Sequence, residues 1–214
     1  MATSFREEHA LPDGERVVLR YIQPSDADEL RRQFLALSPE TRYRRFFGAI
    51  EDLDARTLEY LTNVDGVDHV AIVAVMESLD LKTERGIGVA RFVRTKEDPR
   101  VAEMAVTVVD DMQGKGVGTL LSHAAVNAAL ARGIERFRCV VLADNEVVVK
   151  SLREVGAIEK GSEAGTIVFD VPIAAVDQPS IVRRLLRLAA EQVNAFLRRL
   201  MPPDLLRREE RNRP

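Results

Sequence analysis

The 214-residue sequence predicts an α+β fold: a mixed, mostly antiparallel central sheet flanked by helices, with one added C-terminal helix. Three observations carry that expectation. Helical periodicity fills the first part of the chain after a single strand. Three β-rich runs then follow one another with only short polar breaks. After a glycine-rich junction, helices and strands alternate.

RVVLRYI (16–22) is rich in β-branched side chains and reads as a strand. Ser25 or Asp26 can cap the helix that follows, with Glu29 in its first turn. SPETRYRRFFG (38–48) restarts a helix, with Ser38 as N-cap, Pro39 at the first helical position and Gly48 as stop. A third helical piece covers roughly 54–61. The period then changes. HVAIVAVME (69–77), GIGVARFVR (86–94) and VAEMAVTVV (101–109) are apolar strands, and the polar breaks SLDLKTER and TKEDPR suit hairpins. These three predict an antiparallel meander.

VGTLLSHAAVNAALARG (117–133) reads as an amphipathic helix ended by Gly133. RFRCVVL (136–142) is a strand, NEVVVKSLREVGA (145–157) a helix led by Asn145 and stopped at Gly156, and TIVFDVPI (166–173) a last strand. SIVRRLLRLAAEQVNAFLRRLMPP (180–203) keeps apolar residues at i, i+3, i+4 until Pro202 and Pro203 end it. The expected organisation is one domain over 1–176 and an amphipathic helix with a basic tail over 177–214.

Composition excludes several classes. Aromatics are sparse and Trp is absent, which removes a stacking platform for bases, and a net charge of -3 argues against a polyanion binder. No nucleic acid is expected as partner. One cysteine, Cys139, leaves no internal disulfide and fits a reducing compartment. The first residues lack a signal peptide's apolar core and no apolar run spans a membrane, so the expected location is cytoplasmic. His9, His69 and His123 are scattered without metal-ligand spacing, and no metal is expected. From Gln178 onward arginines outnumber acids, so an acidic body carries a basic arm. Its helix is expected to dock on the domain or on a second copy of the chain. An anionic membrane or an acidic protein is the alternative.

The most informative stretch is VVDDMQGKGVGTLL (108–121). Glycines at a strand-to-helix junction let backbone N–H groups converge on an oxyanion at the positive end of a helix dipole, which suits a pyrophosphate. The Walker triplet is missing. Thr119 and Leu121 stand where a dinucleotide fingerprint would need glycine. QGKGVG (113–118) instead resembles the Gln/Arg-x-x-Gly-x-Gly/Ala signature of the GCN5-related N-acetyltransferases, the GNAT superfamily. The order of elements over roughly 16–171 is similar to that family. LSPETRYRRFFG and AEMAVTVVDDMQGKGVGTLL further resemble the bacterial protein-lysine acetyltransferases.

The resemblance implies acetyl-CoA as co-substrate. It places the pyrophosphate at Gln113, Gly114, Lys115, Gly116, Val117, Gly118 and Thr119, and pairs the pantetheine arm with the backbone of Val106 and Val108. An N–H near Val108 would then serve the oxyanion. Asn145 either caps its helix or touches pantetheine. The family's tyrosine acid has no counterpart in NEVVVKSLREVGA, where Ser151 is the nearest hydroxyl.

Glu103 is the lone acid inside VAEMAVTVV. A carboxylate in an apolar strand is costly unless used or paired. It is the expected general base, with an outward-facing residue or a partner of Arg91 as the bland alternative. The implied reaction acetylates a primary amine, foremost a lysine on a partner protein. The rival readings are a small-molecule amine and a non-catalytic acyl-CoA sensor.

Overall fold

The computed structural model describes residues 5–36, 52–77, 84–143, 146–163 and 165–173. The helix expected over 38–48, Asn145, and the domain boundary and helix expected from 177 onward lie outside them.

Eight strands form one sheet: β1 (Arg6–Ala10), β2 (Arg16–Tyr21), β3 (His69–Glu77), β4 (Glu84–Arg94), β5 (Val101–Val108), β6 (Arg136–Leu142), β7 (Ile158–Glu163) and β8 (Thr166–Pro172). Their spatial order is β1-β2-β3-β4-β5-β6-β8-β7. Every neighbouring pair is antiparallel except β5 with β6. The expected meander is therefore present, and it extends back through β2 to β1. Four described α-helices flank the sheet: α1 (Ala27–Ala36), α2 (Ala55–Thr62), α3 (Val117–Leu130) and α4 (Glu146–Glu154).

The first seven residues of β3 are all buried. A strand covered on both faces has no solvated side, which is why HVAIVAVME shows no alternation. On one face α3 contributes Val117, Leu121, Ala125 and Ala129, all essentially inaccessible, to a core with Ala90, Phe92, Ala102 and Val106. Its alanines let the helix lie close to the strands. Leu121 alone brings about 1.5–3 kcal/mol of apolar burial. Val149 and Leu152 of α4 join the same core. On the opposite face Phe34 of α1 and Leu58 of α2 meet around Leu53.

Local signals set the helix starts. Asp54 Oδ1 accepts from the Thr57 N–H at 2.7 Å at the head of α2. Before α1 the cap falls earlier than expected. A 3-10 turn, Pro24–Asp26, intervenes, and Asp26 reaches back to the Gln23 N–H at 2.7 Å.

Two strands, β1 (REEHA) and β7 (IEKGSE), carry no apolar signal and were not expected. They are the two edges of the sheet. An edge strand covered with charge resists pairing with other chains, so it is polar where an interior strand is apolar.

The β3–β4 register shifts at Ala74/Val75, opposite Gly88 and Gly86. α3 crosses β4 here. A Cβ on Gly88 would lie 2.8 Å from Leu121 Cδ1 and 2.8 Å from the Thr107 carbonyl oxygen. One of those neighbours is backbone and cannot yield. Gly88→Ala is expected to cost about 1–3 kcal/mol and lower the unfolding midpoint by roughly 3–10 °C. A thermal melt with an unchanged midpoint would contradict this packing.

Candidate functional site

The site begins where β5 and β6 part. They pair at only three positions, Val101–Arg136, Ala102–Phe137 and Glu103–Arg138. Beyond these β6 stays with β8 to Leu142, while β5 stays with β4 to Val108. The direction of the β5 backbone follows from one bond. The Val109 N–H donates to the Ile87 carbonyl at 3.1 Å, so Val108 opposite Gly88 turns its own N–H and C=O away from β4. By alternation Val106 does the same. Both residues address the opening beside β6. The Val108 carbonyl accepts from Gln113 Nε2 at 3.3 Å. Such an edge suits an extended ligand that pairs as a strand.

At the end of β5 a 3-10 turn, Asp110–Met112, leads into the glycine loop and α3. Gly114 (φ 79°) and Gly116 (φ 97°) both take left-handed backbone that a side chain would strain. Met112 and Val117 are buried at the two ends and pin the loop to the core. The Thr119 and Leu120 N–H groups donate to the Gly116 carbonyl. Among the described residues, no acceptor takes the N–H of Gly114, Lys115, Gly116, Val117 or Gly118. Five successive donors at the positive end of a helix suit an anion.

The side chains of the loop are otherwise engaged. Gln113 Nε2 donates to Asp110 Oδ1 at 2.9 Å. Lys115 Nζ lies 3.2 Å from Asp13 Oδ2 and 3.2 Å from Glu15 Oε2, in the turn joining β1 to β2. Sequence reasoning missed those two acids. Their only local sign was the Asp-Gly turn dipeptide.

Glu103 is half-buried on the last closed rung, flanked by Val93 of β4 and Arg138 of β6. Arg138 is held by buried Asp170 of β8, Nε to Oδ1 at 2.8 Å, and that bond raises the pKa of the guanidinium. Burial raises the pKa of the Tyr60 hydroxyl of α2; the Arg91 charge opposes this, and Asp65 and then Glu103 add to it. Arg91, the alternative partner for Glu103, gives its described bonds elsewhere: to the Leu61 carbonyl at 2.7 Å and to His69 Nε2 at 2.5 Å. Burial first, then the Arg91 charge, lowers His69 to about 4, so a neutral imidazole accepts from Arg91. Burial lowers Arg91 itself to about 10.

Burial pushes the Cys139 thiol up to about 12, which fits a structural residue. Ser151 belongs to α4, and its side chain lies outside the described residues.

The other face holds a cleft of about 270 Å³ between α1, α2 and strands β3 to β5. Leu30, Phe34, Val73 and Val89 are among its apolar walls, and Thr107 and Val109 bring it alongside the open half of β5. Among the described lining residues, Arg20 faces Asp26, Glu29 and Glu84. Arg20 binds Asp26 through both oxygens at 2.8 Å.

Residues 16–158 match the family model described as Acetyltransferase (GNAT) domain. The chain is 35% identical over 164 residues to Acetyltransferase Pat of Mycolicibacterium smegmatis, an alignment covering 77% of this chain and 48% of that protein. It thus spans about half the length of that relative. It is 31% identical over 140 residues to Acetyltransferase PA5475 of Pseudomonas aeruginosa, covering 65% of this chain and 73% of that one. The crystal structure of the GNAT domain of S. lividans PAT superposes with a TM-score of 0.63 at 28% identity, over 78% of this chain and 96% of that domain.

The buried imidazole fixes a pH dependence. His69 sits at about 4 in the fold against 6.5 when free. Between those values only the unfolded chain takes the proton, so stability is full above about pH 6.5 and falls as pH drops toward 4. His69→Gln, which keeps an acceptor for Arg91, is expected to flatten that decline. Denaturant titrations across this range would read it. A wild-type midpoint that does not fall, or an equally steep decline in the variant, would contradict the assignment.

Proposed function

The chain belongs to the GNAT acetyltransferase family, and from that premise we propose that it moves the acetyl group of acetyl-CoA to a primary amine, foremost a lysine ε-amine on a partner protein. The single observation that carries the coenzyme reading is the run of unaccepted N–H groups from Gly114 to Gly118 beside the open edge of β5. Read as a cradle, that run suits a pyrophosphate. The edge suits the amide groups of a pantetheine arm, and the thioester then lies along β5.

In this reading Glu103 takes the proton that a lysine ammonium, with an ordinary pKa near ~10.4, must lose before it can attack. A bridging water between Glu103 and the amine serves equally well. The amine nitrogen bonds to the thioester carbon. The carbonyl electrons move onto oxygen, where a β5 backbone N–H near Val108 donates to the oxyanion. Collapse restores the carbonyl, breaks the C–S bond and releases the coenzyme as a thiolate, which takes up the second proton that the attacking nitrogen sheds as it becomes an amide. No acyl-enzyme is needed, and Cys139 has no part.

The lysine acceptor is supported by the chemistry of the cleft. Apolar walls suit a four-carbon stem, and the described carboxylates Asp26, Glu29 and Glu84 suit an ammonium. The same features serve a small amine, which stands as the second reading.

Purified protein given acetyl-CoA is expected to release thiol and acetylate proteins in a lysate, but not in one whose lysines are chemically blocked. Release with both lysates and no protein labelling would favour the small amine. Glu103→Gln is expected to lower kcat/KM by about 10²–10⁴ at neutral pH while CoA affinity stays within about twofold. Undiminished turnover in that variant would remove Glu103 from the mechanism.

A further inference from the structure

We propose that Asp13 and Glu15 set the affinity for the coenzyme by clamping the Lys115 ammonium away from the anion cradle, so that a bound diphosphate must compete with them for it. The inference rests on the coenzyme reading above. It concerns a contact that joins the first turn of the chain to the glycine loop, 100 residues apart.

The geometry is specific. Lys115 lies between Gly114 and Gly116, whose left-handed conformations fix its backbone in the cradle. Its side chain leaves the cradle and ends 3.2 Å from one oxygen of each carboxylate. Those carboxylates are presented by an ordered turn. The Leu11 N–H donates to the Glu15 carbonyl at 2.8 Å, the Gly14 N–H to the Leu11 carbonyl at 2.9 Å, and the Glu15 N–H to Asp13 Oδ1 at 3.2 Å. The neighbouring cation, Arg85, is bound by Asp111 at 2.7 Å. Among the described residues, both cations beside the loop are thus bound to carboxylates before any phosphate arrives. Two carboxylates on one ammonium also leave a net negative charge.

A diphosphate held by the backbone donors lies next to this excess. It gains the Lys115 charge only as far as the two acids release it. The clamp therefore weakens binding of an anion that the loop would otherwise hold more tightly. All these groups are at least partly solvated, so the effect is moderate and sensitive to salt.

The test is a double-mutant cycle on the full chain, with CoA binding followed by calorimetry at low and high salt. Asp13→Asn with Glu15→Gln is expected to tighten CoA about threefold to fivefold at low salt, and less at high salt. In a Lys115→Met background the same pair is expected to give less than half that gain in free energy, because no ammonium remains to be released. Unchanged or weaker binding in the double variant would overturn the proposal. An equal gain with and without Lys115 would overturn it too, since simple repulsion would then account for the effect. A wild-type chain that binds no CoA would sink the coenzyme reading together with this inference. CoA binding that the cycle leaves unmoved would sink this inference alone.

Discussion

Three rungs join β5 to β6, and then a strand in the middle of the sheet runs on beside an opening. The divergence leaves an edge that suits something extended, with its own amides. The other parts of the site take their places from it. Glu103 stands on the last closed rung, Val106 and Val108 address the open edge, and the glycine loop begins where β5 ends. The opening cannot simply zip shut. β6 is committed to β8 over seven pairs and β5 to β4 over seven more, with α3 packed beneath β4 and β5.

The two ends of the site hold their charges differently. At the closed rung Arg138 is 14% exposed and its partner Asp170 is 3% exposed, a pair fixed in low dielectric. Arg91 and His69 are likewise buried beside it. At the loop end Lys115 is 37% exposed, and its acids are similarly open. Charges there exchange partners at little cost. The groups around Glu103 are therefore held by buried pairs, whereas the charges at the glycine loop stay open to exchange.

Much of this was legible in the sequence, and the reasons are local. β3 is apolar because both its faces are covered, β4 to β6 and β8 are rich in apolar and β-branched residues, and the bounds of all five agree with the reading to within a residue or two. The loop was legible because left-handed backbone at positions 114 and 116 calls for glycine. β1 and β7 were not, since an edge selects charge rather than alternation. The partners were not legible either. That Arg138 stands beside Glu103 follows from a parallel register set after a helical crossover. That Lys115 meets Asp13 and Glu15 follows from a sheet edge no periodicity announced.

The one sulfhydryl of the chain has its own consequence. A thioester passes its acyl group readily to any thiolate within reach, and a transferase with an acidic cysteine beside its opening would acylate itself. Cys139 lies on β6, the strand that borders the opening, yet its proton stays on at any physiological pH. A thiol so held is a poor acceptor for an acyl group. In the proposed reaction, the thiol left for a reagent to meet is then the one freed from the coenzyme.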